Sequence, residues 1–158
     1  MTLQEFWLPY LVSQIIFILL LIASWRWFKG ARIFWMLIFL AAGLFNLYTA
    51  LTDPQVYTMY APGVWLPLYR TFIDGEFARH PQWYVIPIAL GQLCISILLT
   101  QKTPLFRLGC LGGIIFLLAI SPLGIGSAFP ATVIGALGLV LLWRHGAEQL
   151  IWQKSTNK

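Results

Sequence analysis

Long stretches without a charged side chain alternate with short charged segments along this chain. Residues 6–25, 33–52 and 81–100 contain no lysine, arginine, aspartate or glutamate. Each stretch is about as long as the roughly 20 apolar residues that an α-helix needs to cross the hydrocarbon core of a bilayer. The pattern therefore predicts three transmembrane helices at these positions.

A fourth uncharged stretch, residues 108–143, is too long for a single helix that crosses a membrane. Glycine, proline and serine interrupt it at residues 121–130, and such a cluster is typical of a turn. We therefore expect two short spans, over residues 106–120 and 129–143. The predicted fold is all-α: a bundle of five transmembrane helices, made of one N-terminal helix and four further helices.

Residues 53–80 form the longest segment between predicted spans, and apolar side chains recur in it at spacings of three and four. These side chains are Trp65, Leu68, Tyr69, Phe72, Ile73 and Phe77. The spacing predicts an amphipathic helix, or helical turns, over about residues 63–77 on the outer membrane surface. We favour a cap over the mouth of the bundle; a lid over a ligand cavity and an anchor in the lipid interface are the alternatives.

Composition agrees with this pattern. The chain is 59% hydrophobic and only 9% charged, with a mean hydropathy of +0.80, whereas a soluble domain is about 25% charged. The net charge is +5, but the basic residues lie at the ends of the apolar stretches and form no single patch. Nucleic acid is therefore excluded as a partner, and membrane lipids are the expected surroundings.

The distribution of lysine and arginine predicts an orientation. Eight of the ten fall on one side of the five-span arrangement, and only Arg70 and Arg79 fall on the other. The eight are Arg26, Lys29, Arg32, Lys102, Arg107, Arg144, Lys154 and Lys158. Because cytoplasmic loops are enriched in these residues, we expect a multi-pass protein of the inner (plasma) membrane, with its N-terminus outside and its C-terminus in the cytoplasm.

Three regions follow from this arrangement. Residues 1–31 hold the first helix and most of a cytoplasmic linker that runs over residues 26–32. Residues 32–147 hold the four-helix bundle, including the outer segment 53–80. Residues 148–158 form a cytoplasmic tail. Small residues within the spans, such as Gly43, Gly109, Gly113 and Gly135, predict close packing of helices inside the bundle.

Few polar side chains lie within the predicted spans, and no ionisable group lies near the middle of the membrane. Asn46 and Gln92 are the most informative, and we expect each to be an interhelical hydrogen-bond partner rather than a ligand contact. Together with Tyr69 and Arg70 of the outer segment, they are nevertheless the candidate ligand-binding residues. The chain contains no recognisable catalytic motif and no metal-ligand motif, and its two cysteines lack CxxC spacing.

Several short motifs resemble those of the DoxX-like family of small membrane proteins. They are Arg32 followed by FLAAGLFN at residues 39–46, PLYR at 67–70, Gly91-Gln92, Arg107-Leu108-Gly109, and Pro122. The resemblance implies a four-helix bundle with a long first loop; some members are small subunits of quinone-linked oxidoreductases or partners of redox enzymes. The extra first helix departs from that plan, and Gln92 stands where many relatives have an acidic residue.

Two functions remain open. We favour a non-catalytic accessory subunit of a larger membrane complex, such as a respiratory or other redox complex, with membrane-protein partners and no cofactor of its own. The alternative is a membrane protein linked to an oxidoreductase that binds a quinone or a lipid in a cavity between the second, third and fourth spans. A transporter fits least, because no charge lies within the membrane and no inverted repeat is visible.

Overall fold

In a computed structural model of the chain, the structure describes residues 3–152, and side chains from residue 7 onward. The described part is all-helical, with 86% of residues in helices and no strand. Residues 3–152 form six α-helices, in the order α1 Leu3–Arg26, α2 Phe28–Thr52, α3 Pro67–Phe72, α4 Pro81–Leu99, α5 Leu105–Ile120 and α6 Ala131–His145. The all-α prediction is therefore confirmed for this part of the chain.

Within the described residues, four stretches are long and apolar enough to cross a membrane: Trp7–Arg26, Phe28–Thr52, Pro81–Leu99 and Leu105–Ser127. The predicted interruption of the fourth uncharged stretch is confirmed, since a 3₁₀ turn over Ser121–Ser127 separates α5 from α6. Helix α6 has 15 residues, which gives it a length of about 22 Å. That length is shorter than the hydrocarbon core of about 30 Å, so the fifth span stays a prediction.

The surface of the bundle is apolar along its length. On α1, for example, Ile15, Leu19 and Ile22 are each more than half exposed, and only 11% of that candidate span is buried. Water would disfavour such a surface by about 25 cal/mol per Å² of apolar area, whereas lipid chains would not. The described helices thus suit a protein that passes through a membrane several times.

The prediction of a linker over residues 26–32 is wrong. Helix α2 begins at Phe28, so Trp27 alone separates it from α1. Arg32 lies inside α2 and is only 4% exposed, although its charge suggested a surface position. A buried charge requires compensating hydrogen bonds, and the fold provides them.

The Arg32 guanidinium joins three parts of the chain at one end of the bundle. Its Nε donates to the carbonyl of Leu99 at 2.6 Å, and its two Nη atoms donate to the carbonyls of Gln101 at 2.5 Å and Gln149 at 3.0 Å. The group also lies 4.9 Å from the ring centre of Phe106. The last carbonyls of a helix lack intrahelical donors, so Arg32 caps α4 with a positive charge where the helix dipole favours one. We call this end of the bundle the Arg32 end.

The chain after α6 packs against this same end. Thr103 donates its backbone N–H to Ala147 at 2.8 Å, and Ile151 donates to Thr100 at 3.1 Å. Residues 148–152 are thus not a free tail. The rest of the predicted tail, with Lys154 and Lys158, lies outside the described residues.

The predicted packing of small residues inside the bundle is confirmed. A Cβ atom at Gly43 would lie 2.8 Å from Leu93 of α4, and one at Gly113 would lie 2.7 Å from Leu139 of α6. Both distances are too short for a real side chain. Glycine therefore allows α2 to approach α4, and α5 to approach α6, so that the helices pack through dispersion contacts.

Over residues 63–77 the structure has helical turns, which is one of the two predicted forms, rather than one continuous amphipathic helix. The segment consists of a 3₁₀ helix over Pro54–Gly63, the short helix α3, and a π-helical turn over Ile73–Phe77. An α-helix cannot run through Leu66, because the residue before a proline is driven to an extended conformation, and Leu66 has ψ 113°. We call residues 54–77 the lid segment and the end of the bundle beneath it the lid end.

Replacing Arg32 with methionine should destabilise the protein by about 2–4 kcal/mol, because one buried and two partly buried carbonyls lose a charged donor. Lys29→Met removes the same charge from the same turn, but Lys29 is exposed, so that variant should change stability by less than about 0.5 kcal/mol. Unfolding of both variants in mixed detergent micelles measures the difference. Equal stability of the two variants would contradict the capping role of Arg32.

Candidate binding cavity

A cavity of about 790 Å³ lies beneath the lid segment. Its walls come from α1, α2, α4, α5 and the start of α6, and residues of the lid segment line it from above. The alternative function placed a cavity between the second, third and fourth spans, and the structure has one there, with α1 and α6 as additional walls. Its volume falls within the roughly 300–1,000 Å³ of ligand sites.

A short chain of hydrogen bonds crosses the wall of this cavity. The Tyr57 hydroxyl of the lid segment donates to Asn46 Oδ1 at 2.7 Å, and Asn46 Nδ2 donates to Gln92 Oε1 at 2.7 Å. Gln92 is 3% exposed. The prediction that Asn46 and Gln92 each form an interhelical hydrogen bond is thereby confirmed, and the structure shows that they bond to each other. The lid segment joins them through Tyr57, which the sequence reasoning did not single out.

Three of the four candidate ligand-binding residues come together here. Asn46, Gln92 and Tyr69 line the cavity, whereas Arg70 does not. The Arg70 side chain is 57% exposed and lies 4.0 Å from Asp74, a helical pair of the exposed kind that contributes only tenths of a kcal/mol. The spacing of the outer segment predicted that its apolar side chains share one helical face. Arg70 lies on the opposite face, away from the cavity.

Tyr57 and Tyr60 also line the cavity, with their ring centres 6.1 Å apart. The sequence signal for them was the pair of tyrosines in YTMY, a few residues after the second span. A 3₁₀ turn places residues three apart on one side, which is why both rings face the bundle.

The lid segment is attached to α5 and to the turn that follows it. Tyr69 donates its hydroxyl to the carbonyl of Ala119 at 2.9 Å. Trp65 donates its indole N–H to Ser121 and its backbone N–H to Pro122, both at 3.3 Å. These bonds satisfy carbonyls at the end of α5 and hold the lid segment over the cavity.

Gly124 permits this attachment. It has φ +66°, and a Cβ atom there would overlap the carbonyl oxygen of Gly63. Only glycine combines a positive φ with so close an approach of two backbones.

The cavity is uncharged. Of the described residues that line it, none is an aspartate, glutamate, lysine, arginine or histidine. Burial raises the pKa of Tyr60, and burial is also the main cause that raises the pKa of Tyr57. An acid whose pKa is raised keeps its proton to higher pH, so both phenols are neutral across the physiological range.

The cavity also reaches the side of the bundle. Phe45 of α2 and Ile88 of α4 line it, yet they are 65% and 40% exposed. Both belong to apolar stretches that are candidate membrane spans. Exposed side chains of α2 and α4 thus form part of the cavity wall.

Comparison with protein-family models, with curated proteins and with solved structures finds no match for this chain. The geometry of the site therefore provides the basis for a functional interpretation.

Asn46→Leu should cost about 1–3 kcal/mol, because Gln92 loses a donor and Tyr57 loses an acceptor. The double variant Asn46→Leu/Gln92→Leu should cost less than the sum of the two single variants, since it leaves fewer unpaired polar groups. Unfolding free energies of the four proteins, measured in one detergent, give the coupling. Strict additivity would mean that the two amides are energetically independent.

Proposed function

We propose that this chain is a multi-pass membrane protein that binds a lipid-like ligand, of the lipid or quinone class, in the cavity at the lid end. The observation that carries the proposal is a cavity of about 790 Å³ with aromatic and aliphatic walls and a hydrogen-bonded amide pair within them. Small-molecule sites have this combination of a mostly apolar lining with a few polar groups that orient the ligand.

The length of the cavity suits a chain-bearing ligand. Ile38 and Asn46 both line it from α2, and eight residues of α-helix correspond to about 12 Å. The wall at Ile38 is apolar, whereas polar groups lie near Asn46. An amphipathic ligand with its polar group near Asn46 and its chain toward Ile38 would match this gradient.

We also propose that the ligand enters the cavity from the bilayer. The exposed side chains of Phe45 and Ile88 border the cavity, so a lipid-soluble ligand would not have to pass through water or through the lid segment. The hydrogen bonds that hold Tyr69 and Trp65 against α5 could then stay in place during binding.

We also propose that the Arg32 end lies in the cytoplasm and the lid end outside, in an inner (plasma) membrane. Arg26, Lys29, Lys102, Arg107 and Arg144 lie at or near helix ends that meet around Arg32. The lid segment and the residues just after it carry only Arg70 and Arg79 as fixed cations. This asymmetry supports the orientation through the excess of lysine and arginine in cytoplasmic loops.

The accessory-subunit function and the DoxX-like family stay predictions. A subunit role expects stoichiometric membrane-protein partners after purification in mild detergent from the native membrane. The two functions are compatible, since a protein that binds a lipid-like ligand can also work within a complex.

Filling the cavity tests the proposal. Ala42 lines it, whereas its neighbour Ala41 is exposed on the outside of α2. Ala42→Phe should therefore abolish retention of co-purifying lipid-like molecules, and Ala41→Phe should leave it unchanged. Mass spectrometry of solvent extracts, normalised to protein, measures retention in mild detergent.

The same measurement has a clear negative result. If the two variants retain equal amounts of every extracted molecule, while both keep the unfolding free energy of the parent protein, the ligand does not occupy this cavity.

A further inference from the structure

The directions of the hydrogen bonds in the cavity wall indicate what kind of polar group the ligand carries. Tyr57 donates to Asn46, and Asn46 donates to Gln92. Each residue thus gives a hydrogen to the next, so the carbonyl oxygen of Gln92 is the last acceptor. The group that remains at the end of the chain is the Gln92 Nε2 amide, which can only donate.

This amide nitrogen has no hydrogen-bond partner among the residues that the structure describes. In the same part of the chain, no fully enclosed side-chain nitrogen or oxygen lacks a partner. The nitrogen must therefore reach open space, and Gln92 borders the cavity. A buried donor without a partner costs roughly 1–3 kcal/mol, so an acceptor supplied by the ligand would recover that cost.

The charge of the ligand follows from the lining. The described lining residues include no cation that could pair with a phosphate or carboxylate, and no anion that could pair with an amine. Transfer of an unpaired ion from water into such a site is strongly unfavourable. Arg70 follows the lining residue Tyr69 in the sequence, but its exposed side chain lies against Asp74 and is not part of the cavity lining.

From these observations we propose that the cavity selects an uncharged amphipathic ligand whose carbonyl or hydroxyl oxygen accepts a hydrogen bond from Gln92 Nε2. The proposal rests on the proposed function and adds the class of ligand: acylglycerols, prenols, sterols and other neutral lipids fit, whereas phospholipids and free fatty acids do not. Tyr60 also contributes a hydroxyl to the lining, which can donate to or accept from the same oxygen-bearing group.

Three probes with the same type of hydrocarbon chain separate the contributions of charge, of the polar group and of the apolar chain to the binding affinity. They are 1-oleoylglycerol, the same molecule with a phosphate on its glycerol, and 1-octadecene, which has no polar group. Delipidated protein in mild detergent is titrated with each, and native mass spectrometry counts the bound molecules. We expect 1-oleoylglycerol to bind more than about 100-fold tighter than the phosphate form and about 5- to 10-fold tighter than the alkene.

Two variants test whether Gln92 makes the hydrogen bond to the ligand. Gln92→Leu should reduce the preference of the protein for 1-oleoylglycerol over 1-octadecene to near unity, because the donor is lost while the apolar walls remain. Gln101→Leu makes the same change beyond the other end of α4, outside the cavity, and should leave that preference intact. The affinities of the three probes are also compared on the parent protein alone, so the test of ligand class does not depend on the folding of Gln92→Leu.

The outcomes separate the two proposals. If none of the probes binds, or if Ala42→Phe does not displace them, the proposed function itself fails. If the probes bind in the cavity but the phosphate form or the alkene binds as tightly as 1-oleoylglycerol, the proposed function stands and the selection for a neutral acceptor group is wrong. A preference that survives Gln92→Leu would likewise overturn the role of Gln92.

Discussion

The structure depends on one constraint: a polar group inside an apolar bundle must find its partner within the protein, because hydrocarbon provides none. The described part of the chain obeys it closely, since every fully enclosed side-chain nitrogen and oxygen is hydrogen-bonded. Ser96 donates to the carbonyl of Met36 on the neighbouring helix at 2.9 Å, and Ser24 accepts from the Trp35 indole at 3.2 Å. These polar contacts connect helices whose other contacts are apolar.

The same constraint accounts for the two ends of the bundle. At the Arg32 end a single guanidinium donates to three carbonyls, two at the end of α4 and one in the segment after α6, and no carboxylate among the described residues forms an ion pair with it. At the lid end the hydrogen bonds run in one direction from Tyr57 to Gln92 and stop at the cavity. Arg32 finds its hydrogen-bond acceptors within the protein. At the lid end, Gln92 Nε2 is available to donate to a ligand.

Much of the fold could be predicted from the sequence because hydrocarbon imposes a simple rule on length and charge. Three uncharged stretches of about 20 residues predicted α1, α2 and α4, and the cluster around Pro122 and Gly124 predicted the turn that divides the fourth stretch into α5 and α6. The scarcity of polar groups predicted that Asn46 and Gln92 would each form an interhelical hydrogen bond, whereas their bond to each other is visible only in the structure.

The errors arose where one residue had two possible physical roles. A positive charge such as Arg32 can mark a cytoplasmic loop or cap a buried helix end, and only the positions of the carbonyls of Leu99 and Gln101 distinguish them. Likewise, apolar spacing in the lid segment predicted a helical face, but Pro67 divided the segment. Tyr57 joined the site through a tertiary contact that periodicity does not encode.

The central claim is that hydrocarbon surrounds the helices, with the lid segment on one side of the membrane and the Arg32 end on the other. Single cysteines at Gly75 and Lys102, in a background without Cys94 and Cys110, test it directly through labelling of intact cells with a membrane-impermeant maleimide. The account predicts labelling at position 75 in intact cells, and at position 102 only after the membrane is opened. Equal labelling of both positions in intact cells would contradict it.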